Sequence, residues 1–175
     1  MVQFAVPINT LANGFAGTPA AGASNHLNVD EGVDTPDDNT SYAYATAGVK
    51  VWQGLCTVLS APVPGDVRWR VRMRDRGPWT PPVAIQSNWL VQMGSAVDGI
   101  VGQRAASPPL SGAWVTYEYT LTTAERANLT NYSLLALRIV LQNTSAAQPR
   151  WTAADIILPD PSPFSPTWWG NWARL

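Results

Sequence analysis

Regular alternation of apolar and polar residues is the clearest pattern along this chain, and it predicts β-strands. From Val67 to Arg74 every apolar residue is followed by an arginine, and the segment from Trp114 to Leu121 alternates in the same way. A period of two places successive side chains on opposite faces of a strand. Both segments are therefore predicted to be strands with one face in the core.

The segment from Ser133 to Gln142 carries apolar residues on both faces, which predicts a central strand covered on each side. Weaker strand candidates are Val49–Leu59, Val83–Met93 and Ala153–Leu158. One short helix is predicted from Thr122 to Leu129, because Thr122 and Glu125 have the spacing of a capping box.

The distribution of turn-forming residues indicates how the chain is organised. The sequence contains 15 Pro and 13 Gly, and these separate the short strands. Such spacing favours an all-β fold, an antiparallel β-sandwich of the jelly-roll type. We assign this sandwich to residues 26–160. Residues 1–25 are predicted to form an N-terminal strand, Gln3 to Ile8, followed by an extended arm, and residues 161–175 a Pro- and Trp-rich C-terminal arm.

Composition argues against several classes of function. Charged residues make up only 13% of the chain, so the surface is suited to packing against partners. The net charge of −1 gives no case for nucleic-acid binding, and no apolar run approaches the roughly 20 residues of a membrane span. His26 and Cys56 are the only residues of their kind, and no catalytic motif surrounds them. We expect a non-enzymatic protein without a cofactor.

The acidic loop from Asp30 to Asp38 is the one candidate for a metal site, because Ca²⁺ prefers oxygen ligands on a turn. Its spacing does not match an EF-hand, and acidic runs of this kind are also common in ordinary turns. Both interpretations stay open, and no residue is assigned as a metal ligand.

Four arginines on one face of a predicted strand, Arg68, Arg70, Arg72 and Arg74, are the most unusual local feature. They either form a solvated face balanced by Glu118 or Asp75, or they bind carboxylates of another subunit. Arginine suits the second role because its planar fork binds carboxylates through two hydrogen bonds. We therefore predict that these arginines bind a partner.

Tryptophan is abundant, with nine residues, and its positions support two hypotheses. Five tryptophans lie in or beside predicted strands, where core packing is more common than ligand binding: Trp52, Trp69, Trp89, Trp114 and Trp151. If they were exposed, they would instead form a platform for sugar stacking. The C-terminal arm carries Phe164, Trp168, Trp169 and Trp172 between prolines that forbid a helix, and we predict that these aromatics bind another chain.

The run from Asn28 to Tyr42, which ends in Pro-Asp-Asp-Asn-Thr-Ser-Tyr, resembles a stretch near the start of small jelly-roll virion proteins of tailed phages. The element from Trp151 to Ile156 is similar to the segment that closes their domain. The resemblance implies a capsid decoration, or cement, protein on the outer capsid surface of the virion. Its partners would be the major capsid protein and sister copies in a homotrimer. The alternatives are a tail, fibre or baseplate component, and a carbohydrate-binding β-sandwich module that uses exposed Trp.

Overall fold

The structure is a computed structural model that describes residues 2–13, 16–18, 32–34, 36, 38, 42–44, 50–56, 65–76, 89–106, 112–141 and 148–159. These residues form two antiparallel sheets, which confirms the predicted all-β sandwich. In chain order the strands are β1 (Val2–Ala5), β2 (Pro7–Asn13), β3 (Ala16–Thr18), β4 (Tyr42–Tyr44), β5 (Lys50–Cys56), β6 (Arg68–Arg76), β7 (Trp89–Ser95), β8 (Gly99–Ala106), β9 (Val115–Thr120), β10 (Leu135–Leu141) and β11 (Gln148–Pro159). Helix α1 (Thr123–Ala127) follows β9.

The two sheets divide the strands between them. One sheet has the order β3-β4-β11-β6-β9, with β1 also paired to β11. The other has the order β2-β5-β10-β7-β8. The predicted strands β6, β9 and β10 are confirmed, and β10 is central, between β5 and β7. Its outward face is not covered as predicted, since Arg138 and Val140 are partly exposed there.

Four tryptophans fill the space between the sheets, because both inner faces present large apolar side chains. Trp52, Trp69, Trp89 and Trp151 are fully buried. The ring of Trp151 makes edge contacts with Trp52 and Trp89, at centroid distances of 5.7 and 5.9 Å. Burying each such side chain contributes on the order of 1.5–3 kcal/mol to folding. The core interpretation of these tryptophans is confirmed.

Helix α1 has the predicted capping box. The Thr122 hydroxyl accepts a hydrogen bond from the Glu125 backbone N–H, and the Glu125 carboxylate accepts one from the Thr122 N–H. This reciprocal pair satisfies two N–H groups that the first helical turn leaves without partners. Among the described residues no helix has the length and apolar character that would let it cross a membrane.

The N-terminal segment differs from the expected arm. Residues 7–13 pair with β5 as β2, and residues 16–18 pair with β4 as β3. A strand needs only backbone hydrogen bonds to join a sheet edge, so a segment poor in large apolar residues can still be ordered. Strand β8 was also missed, since Gly99 and Gly102 interrupt its apolar pattern. The predicted C-terminal arm at residues 161–175 lies outside the described residues.

Candidate functional site

The arginine face of β6 is the first candidate, and the structure shows what its side chains contact. Arg70 donates from Nε and Nη2 to the two carboxylate oxygens of Asp155, at 2.9 and 2.7 Å. Its Nη1 and Nη2 also donate to Asp34, at 2.7 and 3.0 Å. Asp155 is fully buried and accepts a third hydrogen bond from the Val33 N–H. Val33 and Asp34 of the acidic loop are thus fixed against the outer face of the six-stranded sheet.

The other three arginines of this face also have contacts within the chain. Arg72 binds Asp38 through two hydrogen bonds of 2.6 and 2.7 Å, and Arg68 binds Glu118 at 2.6 Å. The guanidinium carbon of Arg74 lies 4.4 Å from the centroid of the Trp114 ring. The balancing role of Glu118 is confirmed for Arg68. Binding of a second chain by these arginines stays a prediction.

The described carboxylates of the acidic loop point to guanidinium groups. Hydrogen bonds from Arg70 lower the pKa of Asp34, and bonds to Asp38 raise the pKa of Arg72. Among the described residues no group of three or more His, Cys, Asp or Glu side chains is placed to hold a metal ion. Asp34 and Asp38 therefore act as structural ion-pair partners in this state of the chain.

The outward face of the five-stranded sheet carries a second and better-formed candidate. The register places Arg138 of β10 opposite Gln53 of β5 and Gln92 of β7, and Gln92 opposite Gln103 of β8. Opposite residues of antiparallel strands have Cβ atoms about 4.5–5.5 Å apart. Four polar side chains from four strands therefore form one row across the sheet, which we call the polar row.

A depression of about 340 Å³ lies along this row. Gly94 and Ala136, which are opposite each other in the register, leave space at its base, and Gly99 and Ile100 line one side. Gly94 is required there, because a Cβ atom at this position would overlap the backbone of Gly99. The absence of a side chain at Gly94 lets the first residues of β8 approach β7 closely and form one side of the depression.

Polar atoms in the depression lack the partners that buried groups normally have. Gln92 is only 6% exposed, and its Nε2 donates to Gln103 Oε1 at 2.5 Å. Within the described part of the chain, Gln92 Oε1 and Arg138 Nε are buried without a hydrogen-bond partner. Buried polar atoms are nearly always paired, and leaving one unpaired costs about 1–3 kcal/mol. Neither atom has accessible surface in this conformation, so a bound molecule would pair with them only after the side chains move.

The turn beside the depression, residues 96–98, is held by Asp98. This carboxylate accepts hydrogen bonds from Ser95 Oγ, from Thr130 and from the Asn131 N–H. The bond from the Thr130 hydroxyl is the largest cause that lowers the pKa of Asp98 to about 2. A charged Asp98 thus links the β7–β8 turn to the segment before β10.

The remaining residues that the sequence singled out lie elsewhere. Cys56 is fully buried, and this burial raises the pKa of its thiol. The strand tryptophans form no sugar platform, since Trp52, Trp69, Trp89 and Trp151 are core residues and Trp114 is partly buried. His26 and the four aromatics Phe164, Trp168, Trp169 and Trp172 lie outside the described residues.

Sequence reasoning missed the polar row. The available signal was a single polar residue within an apolar strand, as for Gln92 in β7 and Arg138 in β10. Each such residue has an outward position, but the sequence gives no register between strands distant in the chain. The alignment of Gln53, Arg138, Gln92 and Gln103 therefore required the structure.

Comparisons with known proteins identify the fold. No protein-family model matches the chain, and no curated protein matches its sequence. Among solved structures, the xylan-binding module CBM15 is similar, with a TM-score of 0.51 and 12% identity over 90% of this chain and 96% of that one. A CBM4 structure has a TM-score of 0.47 and 9% identity over 72% and 77% of the two chains. The enzymatically active domain of tailspike protein 4 from bacteriophage CBA120 has a TM-score of 0.43 and 5% identity, over 89% of this chain and 19% of that one. At these identities the likeness shows the β-sandwich fold alone.

Proposed function

We propose that this protein is a non-catalytic glycan-binding module and that the depression along the polar row is its binding site. The observation that carries the proposal is the buried, unpaired Oε1 of Gln92 in an open depression on a sheet face. A ligand that donates a hydrogen bond there would remove the cost of leaving this atom unsatisfied.

The chemistry of the depression suits a sugar chain. Sugar hydroxyls both donate and accept hydrogen bonds. The amides of Gln53 and Gln92, which line the depression, and of Gln103, which is opposite Gln92 in the register, offer both kinds of group. Ile100, which is 48% exposed, offers an apolar surface to the C–H face of a sugar ring. The xylan-binding module CBM15 has the same fold, which supports the proposal, although the fold alone does not assign a ligand.

Glycan-array screening of the full chain, followed by calorimetric titration of the positive oligosaccharides, tests this proposal. Gln53→Ala and Gln103→Ala should each weaken binding about two- to tenfold, the value of one or two neutral hydrogen bonds. Thr120→Ala is the matched control, because Thr120 is exposed on β9 of the other sheet and should leave the affinity unchanged. Absence of binding to any glycan at millimolar concentration, or binding that neither glutamine variant alters, would refute the proposal.

A second candidate is the virion role implied by the acidic segment. In this role the protein would decorate the outer capsid surface and bind the major capsid protein and sister copies. The observation that favours it is that Asp34 and Asp38, within the segment that carries the resemblance, are fixed to Arg70 and Arg72. Asp34 and Asp38 therefore anchor the described part of this segment to β6.

A further inference from the structure

We infer that the glycan bound by the polar row carries a carboxylate, as a uronic acid does, and that Arg138 recognises it. This inference rests on the proposed function and adds the chemical class of the ligand. It starts from the position of Arg138, which is partly buried in the centre of the row, between Gln53 and Gln92.

Arg138 differs from the other arginines whose side chains are described. Each of those has a carboxylate or an aromatic ring of the chain as its partner. The pairs are Arg68 with Glu118, Arg70 with Asp155 and Asp34, Arg72 with Asp38, Arg74 with Trp114, Arg104 with Glu125, Arg126 with Asp66, and Arg150 with Tyr42. Within the same described residues Arg138 has neither kind of partner, and this absence, not the state of its Nε, distinguishes it.

The surroundings of Arg138 leave its charge uncompensated. None of the described residues that line the depression is acidic, and Arg138 is the single charged residue among them. A partly buried cation is stabilised when an anion replaces the water that it has lost. An anionic group in the depression would therefore be favoured over a neutral one.

A carboxylate fits this site better than other anions. The guanidinium group is planar and matches a carboxylate through two parallel hydrogen bonds. One arginine also balances the single charge of one carboxylate. Arg138 is flanked in the row by the amides of Gln53 on one side and of Gln92 and Gln103 on the other. These amides can bind the hydroxyls of neighbouring neutral sugars while Arg138 binds the carboxylate. The row therefore suits a glycan in which one acidic residue lies between neutral ones.

Titration with paired oligosaccharides tests this inference. Each probe is an oligosaccharide that carries one uronic acid residue among neutral sugars, compared with its carboxyl-reduced form, which keeps the backbone and loses the charge. The wild-type chain should bind the acidic form about tenfold or more tightly, as expected for hydrogen bonds to a charged group. Arg138→Gln should remove this preference while binding of the reduced form changes little. Arg138→Lys should retain only part of it, since lysine lacks the planar fork.

Arg68→Gln is the matched control, because Arg68 lies on the other sheet and should leave the preference intact. A sulfated oligosaccharide and its desulfated form make a second arm, and a preference for sulfate over carboxylate would overturn the inference. Equal affinity of the wild-type chain for acidic and reduced forms would also overturn it and leave the proposed glycan binding standing. Failure of every oligosaccharide to bind would overturn both.

Discussion

Truncation of Asp155 should strongly destabilise the fold, because this fully buried carboxylate is the main partner of the Arg70 guanidinium. In the Asp155→Ala variant, Arg70 would keep only Asp34, whose side chain is 65% exposed. The Val33 N–H would also lose its acceptor. The substitution therefore leaves a buried cation with half of its hydrogen bonds and a backbone donor with none.

The expected loss of unfolding free energy is about 3–5 kcal/mol, the usual cost of removing one partner from a buried ion pair. That is a large part of the 5–15 kcal/mol by which domains are stable. The matched control is Glu118→Ala, which breaks the exposed pair with Arg68 and should cost about 0–1 kcal/mol. Replacing both charges in the double variant Arg70→Met with Asp155→Leu should recover most of the loss, since no buried charge then remains unpaired.

Equilibrium urea unfolding at pH 7 measures these differences through the fluorescence of the buried tryptophans. If Asp155→Ala is too unstable to purify, Asp155→Asn keeps the shape of the side chain and should still lose more than Glu118→Ala. An Asp155→Ala variant no less stable than Glu118→Ala would refute the reasoning, because the ion pair would then contribute no more than a surface contact.

Two further predictions concern acid stability and the C-terminal arm. Hydrogen bonds from Arg104 lower the pKa of Glu125 from 4.5 to about 2, and those from Thr130 and its neighbours lower that of Asp98 from 3.8 to about 2. The stability that these lowered pKa values contribute is present above about pH 4.5 and is lost as the pH falls to 2. Glu125→Gln and Asp98→Asn should therefore each reduce the decrease of the urea midpoint between pH 5 and pH 2. An unaltered decrease would contradict this prediction. Deletion of residues 161–175, which the sequence predicts to be an arm outside the sandwich, should leave the urea midpoint unchanged and should weaken attachment to capsids made of the major capsid protein. Undiminished attachment would show that the arm is not the anchor.

The sequence was most informative where one residue pattern controls one element. The alternation in β6 predicts both its strand and its buried face, because the side-chain period of a strand is fixed by backbone geometry. The capping box of α1 was equally predictable, since its hydrogen bonds join residues three apart. Strands β3 and β8, and β2 beyond Ile8, were not predicted, because their backbone pairing is not marked by large apolar side chains.

The fold class and the polar identity of single outward residues could thus be predicted from the residue pattern alone. Which of those residues meet is set by the fold, because strand register depends on hydrogen bonds between segments far apart in the chain. Gln53 and Arg138 are 85 positions apart, and Arg70 and Asp155 are also 85 apart, yet each pair is opposite in a sheet. The first pair lies in an open depression, which we propose as a binding site, whereas the second is bonded to Val33 and Asp34 and stabilises the domain.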